Sequence, residues 1–264
     1  MVFLFLRGCG TITININIRK CISMKKVICK NYEEMSREAA KLVAEQIKAK
    51  PESILGFATG SSPVGMYKEL VRLNKEGEID FSKITTFNLD EYYPILRSND
   101  QSYYYFMFDN LFSHVNIKKE NVNVPNGEVS DPDAECKAYD EKIEAMGGID
   151  LQVLGIGHNG HIGFNEPDEK LIGATHRTGL TESTFHANSG YFEKPEDMPR
   201  EALTMGLTPI MQAKKIVMVI SGKSKAPIVK RMFDGLIGTD CPASVLHMHR
   251  DVTVFLDEDA ASML

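Results

Sequence analysis

Two short polar stretches of the sequence contain residues that could move protons. In LGIGHNGHIGFNEP, residues 154–167, His161 and Glu166 lie close together in a run too rich in glycine to be helical. A carboxylate beside an imidazole orients the ring and stabilises its positive charge. In FNLDEYY, Asp90 and Glu91 either cap the next element or supply a base. Successive side chains of a strand point to opposite faces, so only one of the two can enter a pocket, and Asp90 is the candidate base. A base on one loop and a histidine on another suit enolisation beside a carbonyl.

Two further stretches are typical of anion seats. In FATGSSPVGMYKEL, a strand is followed by a turn of small residues and a helix start, where backbone N–H groups favour negative charge. An ordinary strand-to-helix turn is the alternative. The stretch SGKSKAPIVKRM repeats the design and adds Lys223 and Lys225 as mobile cations. Two such seats predict a phosphorylated ligand.

Other site types fit the sequence less well. The spacing G-x-G-x-x-G occurs at Gly155, Gly157 and Gly160, but His161, Gly163 and Pro167 follow instead of a helix that would open a dinucleotide site. The run SGKS lacks the first glycine of a P-loop, because that position is Val217. The histidine pairs 158/161 and 247/249, with Cys241, lack the helical spacing of a zinc protease site. We therefore predict neither a metal nor a cofactor.

The composition limits the classes of partner and compartment. The chain has 264 residues and is 43% hydrophobic, enough for a sizeable core, and its net charge of −6 without a dense basic run argues against nucleic acid. Five cysteines without a C-x-x-C pair argue against a disulfide framework and favour a reducing, cytoplasmic location. The apolar run 2–6 is too short for a signal sequence, so we predict no membrane partner. Patterned sequence begins at Met24, so we expect residues 1–23 to be a tail outside a single catalytic domain, residues 24–264.

The order of the predicted elements indicates an α/β fold. Strands are expected at 26–29, 53–59, 83–90, 150–157, 214–221 and 251–257. Between them, Asn31 with Glu34 predicts a capped helix that ends at Pro51, Pro63 behind Ser62 predicts a second helix, and 131–146 a third. Such alternation implies a mostly parallel central sheet with helices on both faces, a three-layer, Rossmann-like arrangement. Ligands bind such sheets at the carboxyl ends of the strands, where all four polar stretches are expected.

Six stretches together resemble one family. In order along the chain, FATGSSPVGMYKEL, TFNLDEYY, QSYYYFM, GIGHNGHIGFNEP, HANSGYF and CPASVLHMH are similar to the glucosamine-6-phosphate deaminase family of sugar-phosphate isomerases and deaminases. The likeness runs from about Met24 to Asp259. It implies a cofactor-free reaction in which D-glucosamine 6-phosphate and water give fructose 6-phosphate and ammonia.

The resemblance also implies roles for individual residues. Asp90 matches the base that moves a proton between C2 and C1, His161 the group that opens the sugar ring, and Glu166 the carboxylate that tunes the histidine. Asn159 stands where many members carry aspartate, and its amide oxygen could still hold the histidine tautomer. The implied phosphate-binding residues are Thr59, Gly60, Ser61, Ser62 and Lys225.

Two departures from the family pattern affect binding. Gly190 stands where the family usually has a phosphate-binding arginine, and Arg177 or His186 are the candidates to compensate. The basic residues of the effector site in regulated members are replaced here by His176, Thr178 and Gly179, so we predict little or no effector activation.

Three alternatives stay open at this point. The chain could act on galactosamine 6-phosphate or another amino-sugar phosphate, it could be a 6-phosphogluconolactonase, or it could be a sugar-phosphate sensor without catalysis. The predicted partner in every case is a small sugar phosphate. Members of the family occur as single chains and as larger assemblies, so a homo-oligomer is possible.

Overall fold

The structure is a computed structural model that describes residues 24–264. The tail expected at residues 1–23 lies outside the described residues. The helices are α1 (Tyr32–Ala49), α2 (Val64–Lys75), α3 (Tyr103–Asn110), α4 (Pro132–Ala145), α5 (Glu182–Asn188), α6 (Leu207–Gln212) and α7 (Ala226–Met232). The strands are β1 (Lys25–Cys29), β2 (Ile54–Phe57), β3 (Thr85–Asn88), β4 (Asp90–Tyr93), β5 (Val122–Asn123), β6 (Leu151–Leu154), β7 (His176–Gly179), β8 (Glu201–Thr204), β9 (Lys215–Ile220) and β10 (Val252–Asp257).

The larger sheet has seven strands in the order β1-β10-β9-β6-β2-β3-β5. Every neighbouring pair in it is parallel. Helices cover both faces, which confirms the predicted α/β class. Because β9, β6, β2 and β3 are neighbours and parallel, the loops that follow them lie side by side at one edge of the sheet.

Two hydrophobic cores hold the layers together. On one face, α1, α2 and α3 pack through buried residues such as Val43 and Leu70. On the other face, α4 and α7 pack through residues such as Tyr139 and Val229. The inner strands of the large sheet are buried on both sides, as in β2, whose four residues are all buried, which explains its unbroken apolar sequence.

Local signals set most of the helix starts. The Asn31 side chain accepts a hydrogen bond from the backbone N–H of Glu34 at 2.9 Å, so the predicted cap of α1 is present. Asp131 caps α4 in the same way, directly before Pro132. The prediction for α2 is off by one residue. Pro63 precedes the helix instead of beginning it, and no side chain caps it there.

The expected strand over 83–90 is divided between two sheets. β3 ends at Asn88, and Asp90 begins β4, which belongs to a separate antiparallel sheet of order β4-β8-β7. Between them, the N–H of Leu89 donates to the carbonyl of Phe57 in the first sheet, while its carbonyl accepts from the N–H of Met205. Leu89 therefore directs the chain out of the parallel sheet, and Asp90 is the first residue beyond the turn.

Candidate active site

The predicted site residues gather at one edge of the parallel sheet. The turn with Ser61 follows β2, the stretch with His161 follows β6, Asp90 comes two residues after β3, and Lys225 follows β9. Since these four strands are neighbours, separate parts of the sequence converge on one region.

His161, Glu166 and Asn159 form a hydrogen-bonded group. The His161 Nδ1 atom lies 3.1 Å from Glu166 Oε2, and the Asn159 side-chain amide donates to the same oxygen at 2.5 Å. The Asn159 oxygen accepts from the backbone N–H of His161 at 3.3 Å and does not contact the ring. The carboxylate, rather than the asparagine oxygen predicted to do so, therefore orients the imidazole, and within residues 24–264 the Nε2 atom of the ring has no hydrogen-bond partner.

Glu166 is held as an anion. Its other oxygen accepts a hydrogen bond from the Thr184 hydroxyl of α5. Burial raises the pKa of Glu166, but the hydrogen bonds from His161, Thr184 and Asn159 outweigh it and the net pKa is lowered. The carboxylate is therefore charged at neutral pH and holds the imidazole by its Nδ1 atom. Thr184 was not predicted from the sequence, although it lies just before the recognised stretch HANSGYF.

The glycines of this stretch allow close packing. A Cβ at Gly157 would lie 2.2 Å from Cε1 of His161, so only glycine leaves room for the ring there. A Cβ at Gly160 would lie 2.8 Å from Cys241 Sγ, and the Gly160 carbonyl accepts from the N–H of Ala243 at 2.9 Å. No helix begins between β6 and β7. The glycine spacing therefore positions His161 and does not build a dinucleotide turn.

Asp90 lies against the loop that carries His161. A Cβ at Gly163 would approach Asp90 Oδ2 to 3.6 Å, so the loop passes directly beside the carboxylate. Asp90 pairs with Thr204 across the small sheet, and the Thr204 hydroxyl accepts from the N–H of Phe164 at 2.9 Å. Asp90 is buried, and within residues 24–264 its Oδ1 has no hydrogen-bond partner. An unsatisfied buried carboxylate is costly, which is typical of a functional group.

The two neighbouring carboxylates have different surroundings. Glu91 accepts hydrogen bonds from the backbone N–H groups of Tyr92, Tyr103 and Tyr104, so it holds the start of α3. Asp90 has no such donors, and burial together with the nearby Glu91 raises its pKa to about 8. Burial also raises the pKa of Glu91, to about 7, although its three backbone N–H donors act against this. Glu91 is therefore the structural cap, and Asp90 is the carboxylate with the higher proton affinity.

The turn after β2 has the features of an anion seat. Gly60 has a φ of 94°, a conformation that favours glycine, and α2 begins directly after the turn. The Tyr32 hydroxyl accepts from the N–H of Gly65 at 2.6 Å and donates to the carbonyl of Ser61 at 3.0 Å, which fixes the turn on the helix end. A cavity of about 330 Å³ lies beside the turn, and it is lined by Tyr32, Ser61, Ser62, Val64 and Ser221. This cavity touches the predicted seat, but neither Asp90 nor His161 lines it.

Lys225 is anchored at the same edge. Its Nζ donates to the carbonyl of Ile156 at 2.8 Å, so the prediction of a mobile cation is wrong for this lysine. Burial lowers the pKa of Lys225 to about 8. The preceding turn is fixed by Asp257, which accepts from the Ser221 hydroxyl and from the N–H of Gly222. A partly buried ammonium in a fixed position binds an anion with little loss of side-chain freedom.

Tyr103 connects the parts of the site. Its hydroxyl lies beside the side chain of Thr59 and 3.2 Å from the hydroxyl of Tyr92. Its ring stacks on Phe164 at a centroid distance of 5.9 Å and an angle of 11°. Tyr103 therefore joins the anion seat, the small sheet and the loop of His161. The stretch QSYYYFM marked this region in the sequence but did not indicate which tyrosine matters.

The two residues predicted to compensate for Gly190 each lie beside a glutamate. A Cβ on Gly190 would meet nothing within 4 Å. The Arg177 side chain lies on β7 with Nε 3.8 Å from Glu201, and the His186 side chain is 76% exposed with Nε2 3.8 Å from Glu182. His176, Thr178 and Gly179 also lie on β7, at the edge of the small sheet.

The remaining metal candidates have structural partners. His247 Nε2 lies 2.8 Å from the carbonyl of Met232, and His249 Nε2 lies 2.7 Å from the carbonyl of Ala213. Within residues 24–264, no group of three or more histidine, cysteine or acidic side chains is arranged to hold a metal ion.

In the same part of the chain, no helix has the length and apolar character needed to cross a membrane.

Comparisons with known proteins agree with this arrangement. The family described as glucosamine-6-phosphate isomerases/6-phosphogluconolactonase matches residues 30–255. A glucosamine-6-phosphate deaminase of Clostridium perfringens is 57% identical over 91% of this chain and 100% of its own length, and one of Thermoanaerobacter sp. is 56% identical over 91% and 95%. A solved structure of a monomeric glucosamine-6-phosphate deaminase superposes with a TM-score of 0.89 at 45% identity, covering 91% of this chain and 100% of that one. A 6-phosphogluconolactonase of Thermotoga maritima shares the fold, with a TM-score of 0.69 at 18% identity over 89% of this chain and 100% of its own.

Proposed function

The chain belongs to the family of glucosamine-6-phosphate isomerases and 6-phosphogluconolactonases, and we propose that it is a deaminase that converts D-glucosamine 6-phosphate and water to fructose 6-phosphate and ammonia. The observation that supports this most is the identity of 57% to a glucosamine-6-phosphate deaminase over that protein's whole length. The 6-phosphogluconolactonase likeness, at 18% identity, extends to the fold alone. Residues 24–264 form the proposed catalytic unit.

Binding begins with the phosphate. The turn of Thr59, Gly60, Ser61 and Ser62 offers backbone N–H groups at the start of α2, and Lys225 supplies a cation from the end of β9, two strands away in the sheet. Anchoring the phosphate, which takes no part in the chemistry, fixes the position of the sugar carbons.

Ring opening is the proposed task of His161. The imidazole protonates the ring oxygen as the bond from that oxygen to C1 breaks, and C1 becomes an aldehyde when its hydroxyl loses a proton. Glu166, 3.1 Å from Nδ1, stabilises the charged imidazole that donates this proton. Asn159 and Thr184 hold Glu166 in place.

Proton transfer between carbons is the proposed task of Asp90. The C1 aldehyde acidifies C2, so Asp90 takes the C2 proton while the C1 oxygen regains the proton that it lost on ring opening, and an enolamine forms. Asp90 then returns the proton to C1, which gives an imine at C2. One carboxylate serves both steps because C1 and C2 are adjacent, and its raised pKa favours accepting the proton. Water then adds to the imine carbon C2, and the C–N bond breaks to release ammonia and leave the C2 ketone of fructose 6-phosphate.

A substrate comparison tests this proposal. Purified protein is incubated separately with glucosamine 6-phosphate, galactosamine 6-phosphate and 6-phosphogluconolactone, with assays for ammonia and for ring hydrolysis of the lactone. We expect ammonia and fructose 6-phosphate in equal amounts from glucosamine 6-phosphate. Lactone hydrolysis without ammonia release, or faster turnover of the galactosamine epimer, would contradict the proposal. Tight binding of all three without turnover would indicate a sensor.

The parameter kcat/KM reports ionisations of the free enzyme. Its pH dependence should be bell-shaped, because the reaction requires one deprotonated group and one protonated group. Asp90 must be ionised to act as a base, and its pKa of about 8 makes kcat/KM rise with pH up to that region. Lys225 must be charged to hold the phosphate, and its pKa of about 8 makes kcat/KM fall above it. The Lys225→Arg variant stays charged, so its alkaline limb should move to higher pH while the acid limb is unchanged. An alkaline limb that does not move in this variant would remove Lys225 from the proposed binding site.

A further inference from the structure

His158 lies between the two halves of the proposed phosphate site. It follows β6, and β6 lies between β9 and β2 in the sheet. The loops after β9 and β2 carry Lys225 and the turn with Ser61. His158 therefore emerges at the sheet edge with one half of the site on each side.

The contacts of His158 leave it available to a ligand. Its Nε2 lies 3.3 Å from the hydroxyl of Ser224, the residue next to Lys225. That is the one hydrogen bond of its ring within residues 24–264, and the residue is exposed. The other histidines of the two pairs 158/161 and 247/249 differ, since His161 is bonded to Glu166, and His247 and His249 to carbonyls.

The charges around His158 favour an anion as its partner. The charged groups that act on it are Lys225, after the neighbouring strand, and His161, further along its own loop. Burial, Lys225 and His161 all lower the pKa of His158, so the ring is mainly neutral in the free protein at neutral pH. A phosphate dianion placed among these groups reverses their effect and favours the protonated ring.

The family resemblance leaves one phosphate-binding position of this chain without a charge. Gly190 stands where the family usually has an arginine, and Arg177 and His186 each face a glutamate at 3.8 Å. We infer that His158 binds the substrate phosphate beside Lys225 and supplies the positive charge that this chain lacks at position 190. The inference rests on the proposed function, because it assigns a role at the same sugar-phosphate site.

The test compares two variants of His158 with a control. His158→Asn keeps a polar side chain without the charge, and His158→Arg keeps a permanent charge. His186→Asn is the matched control, because His186 is also exposed and lies 3.8 Å from a carboxylate instead of a cation. Steady-state kinetics at pH 6.5 and 8.5 and calorimetric titration with inorganic phosphate are measured for all four proteins.

We expect His158→Asn to raise the KM for glucosamine 6-phosphate about tenfold at pH 6.5, the loss typical of a charged hydrogen bond, with kcat little changed. The ratio of variant to wild-type KM should be smaller at pH 8.5, where the wild-type ring carries less charge. The affinity for inorganic phosphate should fall in parallel. His158→Arg should bind glucosamine 6-phosphate and inorganic phosphate at least as well as the wild type at both pH values. His186→Asn should have the KM and phosphate affinity of the wild type.

Two results would overturn the inference. One is an unchanged KM and phosphate affinity in His158→Asn, and the other is a loss of kcat at unchanged KM. The phosphate titration requires no turnover, so it decides the role of His158 even if the wild-type protein releases no ammonia. Absence of deamination with a His158-dependent phosphate affinity would contradict the proposed function alone.

Discussion

The Asp90→Asn variant is expected to bind glucosamine 6-phosphate and to turn it over about 10²- to 10⁴-fold more slowly, the usual contribution of a positioned general base. The amide has the shape of the carboxylate but cannot accept the C2 proton. Since Asp90 is buried with one oxygen unpaired among the described residues, removing its charge should not destabilise the fold. Ammonia release gives kcat, and thermal unfolding verifies that the variant is folded.

Glu91→Gln is the matched control for this experiment. Glu91 is adjacent, acidic and buried, but it accepts three backbone N–H bonds at the start of α3. We expect this change to lower the free energy of unfolding by about 1–3 kcal/mol, because charged hydrogen bonds are weakened. The folded fraction should keep its turnover. Asp90→Asn activity within tenfold of wild type would refute the assignment of the base.

The His161→Gln variant should lose about 10²- to 10³-fold in kcat/KM on the cyclic substrate, because its proposed role is protonation of the ring oxygen. The loss should be much smaller on an open-chain analogue that lacks the C4 and C5 hydroxyls and so cannot close. Glutamine retains hydrogen bonding to Glu166 but cannot donate a proton as an acid. Parallel assays of the two substrates isolate the ring-opening step.

Thr184→Val provides a graded comparison for the histidine. It removes one hydrogen bond to Glu166 and leaves His161 in place. The loss of kcat/KM should therefore again be larger on the cyclic than on the open-chain substrate, but smaller than the loss in His161→Gln. Equal losses of His161→Gln on the cyclic and open-chain substrates would show that His161 acts after ring opening. Such a result would leave the role of Asp90 unaffected.

The sequence predicted the α/β class because its signals are local. Buried strands leave unbroken apolar runs, and the caps at Asn31 and Asp131 act over a few residues. The same reasoning placed the four polar stretches at strand ends, and the parallel order of neighbouring strands brings those ends together.

What the sequence could not show depends on distant contacts. Nothing in the alternation of 83–90 indicates that Leu89 bonds to two different sheets, so the start of a new strand at Asp90 was not predictable. The anchoring of Lys225 requires the carbonyl of Ile156, 69 positions away in the chain. The different roles of Asp90 and Glu91 likewise follow from a distant contact, because the start of α3 donates to Glu91.

The most direct measurement is a crystal structure of the Asp90→Asn variant with glucosamine 6-phosphate bound. We predict that the phosphate lies on the 59–62 turn and Lys225, that the side chain of position 90 contacts C1 and C2, and that His161 Nε2 lies within about 3 Å of the ring oxygen. A sugar bound with C2 facing away from position 90, or with its ring oxygen out of reach of His161, would contradict the account.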